Sequence, residues 1–578
     1  MPDAAWLSRR QQLHERYMEV ARVGDASRLS YLHGPTQVWT EEEAAAMWER
    51  AARQPIGELE PRNCVYIHVP FCKSICSFCN YDRLQPSSSE LLRTWLKRAL
   101  RTIDVIAPAL RPLTFHALYI GGGTPAVLPA PLLHELLEAV DTKINWHPGA
   151  SRKLEFDPAV MNRARLDVLV AHNFKQLSFG IETLDPLINE RHNRGKQGIE
   201  TIERSFADLK AVGLNDVACD FLLGLEGTTA PGMLVEMETV MRQFRPQWLD
   251  IFMLTPTQKY IDQHFGGDHQ AFWAHLKPFE ELIPPALPAL AERNGYTVRM
   301  GSGHHMMLRR MDVAPGQPAS SGSTFTYTAL NSEARRPLNV FGIGRSARSV
   351  IFGSAAFALR DPDDDPGKPG PADYEGNLMS LADEARTFLT HHLRDNDTVD
   401  RTEFRQIFGD DISQVVPAAV AAWEQQGLAR LESDVLRFVP QDRRTRIASL
   451  LWLVPQEAIE FDLAHFDSIE LSPRGIGLLA EAIPNGTELA GGHRYVGTDG
   501  VCLLLRTPAG ETLRLRVAPA LAENANLRLV LEAPPKSAPD DSLRLAVAQL
   551  RGTLTRNHRN MMRRRGRRDQ QQASAAPH

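Results

Sequence analysis

No stretch of about eighteen consecutive apolar residues occurs in the 578-residue sequence, so it offers no candidate membrane-spanning helix. The opening segment MPDAAWLSRRQQLHERYMEV is charged and helical in pattern, unlike a signal peptide, and predicts a cytoplasmic protein. Charge of one sign is not in excess. The 65 basic and 70 acidic residues leave a formal charge of −5, which argues against general nucleic-acid coating. Cysteine is scarce: the six residues Cys64, Cys72, Cys76, Cys79, Cys219 and Cys502 are too few and too clustered for a disulfide scaffold. No repeat with a period of about 20–50 residues is visible, so a solenoid or propeller is not expected. What is present is ordinary globular composition, 43% hydrophobic and 23% charged. At about 150 residues per domain the length implies roughly four structural units.

Residues 1–57 read as an amphipathic helical prefix, punctuated at its exit by Pro55 and Pro61. From 58 to 359 short apolar runs (CVYIHV, FHALYI, KLEF, KQLSFGI, DVACDFLL, WLDIFML) alternate with helix-period stretches such as SELLRTWLKRALRTID and PLLHELLEAVDTK. Repeated β then α predicts an α/β fold with a parallel sheet, a full or partial (β/α) barrel. Residues 360–379, with RDPDDDPGKPGPADYEGN, read as a linker. Residues 380–460 predict a small helical domain with a strand wing. The strand and turn pattern of 461–535, with reversals at TDG and PAGE, predicts a β-rich appendage. Residues 536–578 read as one helix followed by a disordered basic tail. Its five arginines at 563–565, 567 and 568 lack the interleaved aromatics of single-strand recognition and read as solvated.

The chemistry concentrates in FCKSICSFCNYD, where Cys72, Cys76 and Cys79 form C-x3-C-x2-C at the exit of the first barrel strand. Such short spacings on a loop let three thiolates converge on one inorganic centre, and thiolates are the ligands of iron–sulfur clusters. A structural zinc wants a fourth Cys or His with a suitable second half-motif, which is not found nearby. His68 is a possible fourth ligand, or else a histidine packed within the strand.

The run YIHVPFCKSICSFC resembles the signature of the radical S-adenosylmethionine (SAM) superfamily in its HemN-like version, the oxygen-independent coproporphyrinogen III oxidase family. The resemblance extends through GGGTP at Gly121–Pro125, LEFDP, FGIETLDPLINERHNRG and DFLLGL in the family's order, covering about 60–360 and more weakly 380–455. It implies a radical SAM partial barrel with a small winged-helix-like domain behind it. It also implies a 4Fe-4S cluster on Cys72, Cys76 and Cys79, with one SAM chelating the open iron and a second SAM in the two-SAM branch. One electron, from a donor such as flavodoxin or ferredoxin, then yields a 5′-deoxyadenosyl radical that takes hydrogen from a small-molecule substrate.

The same resemblance supplies expected roles. The GGGTP backbone, with Gly121, Gly122, Gly123 and Thr124, suits the methionine end of SAM, because glycines expose N–H groups without Cβ obstruction. Glu155 matches the family's acidic contact to the SAM amino group or to a second SAM, and Asp220 an acidic residue placed for ribose hydroxyls. Glu182 stands where the family usually has Gln. Arg194 matches the arginine that reaches the SAM ribose or carboxylate, with Arg191 as the nearby alternative. Tyr66 resembles the family's tyrosine near the cluster and the sulfonium. Gly342 and Gly344, in a G-x-G-x-x-A run without a Rossmann unit, match a glycine turn that closes the SAM pocket. His304 and His305, in MGSGHHMMLRR, fall where the family places substrate-facing groups, able to bind acidic substrate groups or transfer a proton. Cys64, Cys219 and Cys502 read as buried core thiols.

Two departures bear on the reaction. Coproporphyrinogen dehydrogenases of the family carry a fourth cysteine two positions after the third, where this chain has Asn80 and then Tyr81. The haem-chaperone branch typically shows an HNxxYW-like segment before the glycine turn, where this chain reads ALNSEARRPLNVFGIG. A third branch uses two SAM molecules for methyl or methylene transfer and has no obligate motif to exclude it. The expectation is therefore a HemN-like radical SAM enzyme. Methyl transfer, tetrapyrrole oxidation and a haem- or cluster-carrying accessory role all remain as readings.

Overall fold

The computed structural model describes residues 4–21, 29, 36–53, 61–195, 197–300, 305–312, 337–360, 373–440, 443–469, 480, 483–499, 502–519, 527–531, 542–543, 546–547, 549–551 and 553–554. The chain divides into two compact units: residues 29–454 with 1–2, and residues 3–28 with 455–578.

Helix α1 (Ala4–Ala21) belongs to the second unit. The first unit begins with β1 (Gln37–Trp39) and α2 (Glu41–Arg53), followed by β2 (Arg62–Val69) and α3 (Ser89–Leu110). Then come β3 (Phe115–Gly122), α4 (Ala130–Lys143), β4 (Trp146–Phe156), α5 (Arg163–Ala171), β5 (Gln176–Glu182), α6 (Pro186–Arg191) and α7 (Ile199–Ala211). These lead to β6 (Asp216–Leu223), α8 (Ala230–Gln243), β7 (Trp248–Met253), α9 (Gln258–Phe265), α10 (His269–Arg293), β8 (Tyr296–Met300) and β9 (His305–Arg310). Strands β10 (Leu338–Ile343), β11 (Arg348–Ile351), β12 (Ala355–Arg360) and β13 (Asp373–Leu378) complete one sheet. Its order is β1-β13-β12-β11-β10-β2-β3-β4-β5-β6-β7-β9-β8. The run from β10 to β7 is parallel and the flanks are antiparallel.

The two faces of the parallel strands differ in chemistry, as a period of two permits. Val65, Ile67, Val69, Leu118, Ile120, Leu154, Phe156, Leu177, Phe179, Ile181, Phe221 and Ile251 share the main apolar core with the helices. α3 contributes Leu92, Trp95, Leu96, Ala99, Ile103 and Ile106 to it at i, i+3 and i+4 spacing, after the Ser88 side chain caps its first turn. Alternate positions on the same strands carry Tyr66, His68, Tyr119, Lys153, Glu155, Ser178, Asp220 and Asp250. Register aligns Tyr66 with Tyr119, Tyr119 with Lys153, Glu155 with Ser178, and Asp220 with Asp250. A polar inner face in an otherwise apolar sheet costs desolvation, which makes it the candidate site.

Residues 380–454 form α11 (Leu381–Asp395), β14 (Thr398–Asp400), α12 (Arg401–Phe408), α13 (Ile412–Val415), α14 (Pro417–Gln425), β15 (Ala429–Leu431), β16 (Val435–Phe438) and α15 (Arg443–Leu450). The small antiparallel sheet runs β14-β16-β15, a winged-helix-like arrangement. In the second unit α16 (Gln456–Ile469) is followed by an antiparallel meander of β17 (Arg494–Asp499), β18 (Cys502–Arg506), β19 (Thr512–Pro519) and β20 (Leu527–Leu531). Leu503, Leu505, Leu513, Leu515 and Val517 share a core with Leu543, Ala546, Leu550 and Leu554 from the final helical segment.

Three boundaries drawn from the sequence change. The prefix 1–57 is not one element: α1 groups with the C-terminal unit, and β1 and α2 group with the barrel. The linker 360–379 contains β13, which pairs antiparallel with both β12 and β1, so only the Pro/Asp-rich part remains a candidate connection, and 361–372 lie outside the described residues. DYEGNL was hidden by its neighbours' composition. The helix assigned to 536–578 shares the meander's core, while the basic tail lies outside the described residues. Among the described residues no helix is long and apolar enough to cross a membrane.

Tyr17 of α1 is fully buried and donates to Asp462 Oδ2 of α16 at 2.7 Å. Deleting 455–578 alone is therefore expected to strand the apolar face of α1 and cause aggregation. Deleting 3–28 as well should restore soluble expression, which size-exclusion chromatography of the two truncations checks.

Candidate active site

The loop from Pro70 to Ser88 follows β2 and carries all three clustered cysteines as free, partly buried thiols. Its base is closed by backbone bonds from Cys72 N to Leu84 O (3.0 Å) and from Leu84 N to Pro70 O (2.7 Å). Phe71 is fully buried against the edge of Trp95. The glycine run after β3 staples the first half of the loop: Gly123 N–H donates to Val69 O at 2.8 Å and Thr124 N–H to Phe71 O at 2.7 Å. Thr124 Oγ1 lies 3.7 Å from Cys72 Sγ. These bonds commit the Gly123 N–H, one of the three glycine N–H groups expected to face a ligand, and that of Thr124 to holding the loop. A Cβ on Gly123 would sit 2.7 Å from Phe71 O, so only glycine fits this approach.

The second half of the loop is held by RHNRG. Ser77 N–H donates to His192 O at 2.9 Å, and Asn193 Nδ2 to Ile75 O at 2.7 Å. Ser77 Oγ stands between His192 Nδ1 (3.0 Å) and His264 Nε2 (2.8 Å). Burial lowers the pKa of both imidazoles, His264 to about 4 with His192 adding to the effect, so both are neutral hydrogen-bonding groups. Arg194 turns inward: Nη2 donates to Gly180 O at 2.7 Å, while Nη1 lies 3.4 Å from Glu182 Oε1 and 3.9 Å from Cys76 Sγ. Burial works against this cation, and Glu182 and Cys76 more than offset it, holding its pKa above the ordinary value. Glu182 ends β5 with φ 61°, and burial pushes its carboxyl upward against the pull of Arg194. Arg191, the alternative, points away and pairs with Glu226 at 2.8 Å on the exposed side. Burial pushes the Cys76 thiol up to about 11 and raises those of Cys72 and Cys79.

On the inner face Tyr66 and Tyr119 stack with ring centroids 5.5 Å apart, and Tyr119 donates its hydroxyl to Glu155. Lys153 lies over the Tyr119 ring at 5.4 Å. Tyr66 OH is 3.0 Å from His68 Nδ1, and His68 Nε2 is 2.8 Å from Asp82 O. Both imidazole nitrogens are thus occupied, so His68 is a packed histidine and not a fourth ligand. Asp220 accepts from Ser178 Oγ at 3.2 Å. Burial, and then the neighbouring Asp250, push its carboxyl well above the usual range.

The structure brings Tyr66, Glu155, Glu182, Arg194 and Asp220 together at the inner face and its mouth. Gly342 and Gly344 serve backbone packing: a Cβ on Gly342 would meet Ala347 O at 2.8 Å, and one on Gly344 (φ 97°) would meet His68 O at 2.6 Å. The turn after them ties to the cysteine loop through Arg345, which donates to Asp82 at 2.6 and 2.8 Å. His305 begins β9, stacks on Phe252 at 4.5 Å and contacts Asp250 Oδ1 at 3.0 Å. His304 lies outside the described residues. Sequence reasoning missed Tyr119, Lys153 and Asp250, which the period-two pattern of the strands displays. It also missed Ser77, His192 and His264, for which only the tertiary contact is a signal.

The profile of the Radical SAM superfamily matches residues 66–234, a span that contains Tyr66, the three cysteines, GGGTP, Glu155, Glu182, Arg194 and Asp220. The oxygen-independent coproporphyrinogen III oxidase of Cereibacter sphaeroides is 35% identical over 173 residues, 29% of this chain and 38% of that protein. Residues 66–234 are thus similar to a radical SAM domain of the HemN-like kind. The chain's match spans under two-fifths of that relative and of the Paracoccus denitrificans one (36%). The haem chaperone HemW of Bacillus subtilis is 22% identical over 290 residues, 50% of this chain and 71% of that one. The structure of coproporphyrinogen III oxidase (HemN) from Escherichia coli aligns with TM-score 0.56 and 18% identity over 71% of this chain and 93% of that one, which shows the shared fold.

Proposed function

We propose that this chain is a radical SAM enzyme in which Cys72, Cys76 and Cys79 hold a 4Fe-4S cluster and the polar inner face receives SAM and a small-molecule substrate. The observation that carries this reading is the position of three free thiols on a loop stapled to the mouth of the barrel, beside the buried Arg194–Glu182 pair. The donor set fits: three thiols with nearby hydrogen-bond and cationic partners suit an anionic thiolate-ligated centre, whose binding displaces the thiol protons. When bound, such a cluster supplies the electron that cleaves SAM to methionine and a 5′-deoxyadenosyl radical.

The chain's own residues bind and orient. Glu155, fixed by Tyr119, offers a carboxylate to the SAM amino group, with Tyr66 beside it and Gly121 keeping the approach clear, since a Cβ there would meet Glu155 Oε2 at 2.8 Å. Gly123 and Thr124 hold the cysteine loop in place, and Gly122 packs closely on the His68 ring. Arg194 offers its remaining guanidinium face to the carboxylate or ribose of SAM, and Glu182 keeps that guanidinium positioned. Asp220 receives ribose hydroxyls. Its raised pKa lets the carboxyl donate as well as accept. His305 and Asp250 lie further along the inner face, where they contact substrate. Gly342 and Gly344 act through Arg345 and Asp82 on the loop. The electron comes from a small flavin or iron–sulfur donor.

The coproporphyrinogen oxidase relatives favour an oxidoreductase acting on a substrate of that class over methyl transfer. The test is product analysis of the reduced, reconstituted protein given SAM and coproporphyrinogen III. Formation of 5′-deoxyadenosine with loss of substrate mass as carbon dioxide supports the reading. S-adenosylhomocysteine appearing in equal amount instead assigns the chain to methyl transfer.

The Ser77 hydroxyl gives a second test. Ser77→Ala leaves two imidazole nitrogens short of a partner, at a cost of about 1–3 kcal/mol. The expected result is faster iron loss to a chelator with unchanged far-ultraviolet circular dichroism. Iron loss at the wild-type rate would remove this network from the account.

A further inference from the structure

The outer helical layer holds a second cluster of ligating groups, away from the cysteine loop. α4 carries His134, Glu138 and Asp141 at i, i+4 and i+7, on one helix face. They meet His172, the residue that caps the C-terminus of α5. His134 Nδ1 lies 2.8 Å from His172 Nε2, and these nitrogens and a Glu138 carboxylate oxygen all fall within 4.8 Å of one another. His134 and Glu138 are exposed, whereas His172 is buried.

The buried imidazole is held from behind. His172 Nδ1 is 2.6 Å from Asp141 Oδ2, and Arg152 Nη1 is 2.5 Å from Asp141 Oδ1 and donates to His172 O at 2.8 Å. Arg152 in turn lies over the Trp146 ring at 5.0 Å. A carboxylate on Nδ1 fixes the proton there and leaves the Nε2 lone pair facing outward, the arrangement that orients metal-binding histidines. The other group of similar composition, His192, Glu226 and His264, lacks this freedom: the Ser77 hydroxyl fills the space between its imidazoles and Glu226 is paired with Arg191.

We propose that His134, Glu138 and His172 form a binding site for a zinc-class divalent cation, with Asp141 as its positioning residue. Two imidazoles and one carboxylate supply three donors of the types zinc accepts, and the solvent side leaves a fourth position for water. Tetrahedral ligation at about 2.0–2.1 Å separates two nitrogens by about 3.3 Å, so the exposed His134 need only swing outward by about half an ångström. The ion would tie α4 to the connection entering β5, reinforcing the barrel wall independently of the cysteine loop.

The test uses full-length, untagged protein carrying its cluster, treated with a mild chelator and dialysed anaerobically against micromolar zinc sulfate. Zinc and iron are then counted per chain in the same sample. Wild type should retain one more zinc than His134→Ala or Glu138→Gln, with iron equal in all three. Asp141→Asn should weaken zinc binding about 10- to 100-fold, the usual effect of removing such an orienting partner. Equal zinc in wild type and both ligand variants, or no zinc retained on wild type, overturns the proposal.

Discussion

Arg194→Leu is expected to cost about 3–5 kcal/mol of stability, because it strips the counter-ion from a buried carboxylate. Both partners are largely enclosed, with side-chain exposures of 12% for Arg194 and 14% for Glu182, so solvent cannot replace the lost interaction. The Gly180 carbonyl loses the shorter of its two side-chain donors at the same time, keeping Gln197 Nε2 at 3.1 Å. The loss should appear as a lower denaturation midpoint, and the double variant Arg194→Leu with Glu182→Gln should recover most of it. Binding separates from stability in the same pair of proteins: the double variant regains its fold but not SAM affinity. A single variant as stable as wild type would show that the pair is solvated and not part of the site's frame.

Gly123→Ala has the second large expected effect. The added Cβ would lie 2.7 Å from Phe71 O and 2.9 Å from both Phe71 C and Phe71 N, all backbone atoms of the cysteine loop. No flexible side chain is available to give way, so the loop must shift. Overpacking of this kind costs about 1–3 kcal/mol or more. The Gly123-to-Val69 and Thr124-to-Phe71 bonds should stretch together, and cluster assembly should fail even though all three thiols remain. Gly195→Ala is the control, since nothing lies within 4 Å of its Cβ position, although its φ of 88° makes some backbone strain unavoidable. Normal iron content in Gly123→Ala would break the link drawn here between the glycine run and the loop.

Much of the barrel was legible because parallel strands buried on both faces write themselves as short apolar runs. DVACDFLL coincides with β6 at both ends. Tyr66 and Glu155 were picked out by the family resemblance, although they also interrupt those runs at period two. What the sequence hid was relation across distance. Nothing in AAWLSRRQQLHERY says that α1 groups with α16, because the pairing spans more than four hundred residues. DYEGNL looked like linker because Gly376 and the prolines preceding the segment outweighed a strand whose partners are remote; a Cβ on Gly376 would meet the Phe357 Cα at 2.5 Å, so the glycine belongs to a tight strand contact. The N–H groups of Gly123 and Thr124 were assigned to a ligand for the same reason: a loop folding back onto them has no local signal.

In the function proposed, Cys72, Cys76 and Cys79 together hold an iron–sulfur cluster that opens onto SAM. The most direct test is iron and acid-labile sulfide content after anaerobic reconstitution, with wild type beside a Cys72→Ala, Cys76→Ala and Cys79→Ala triple variant. The account predicts about four irons and four sulfides per wild-type chain, visible thiolate-to-iron absorption that is bleached by dithionite, and none of these in the triple variant. Iron-free wild-type protein with one zinc held by the same three cysteines would contradict it.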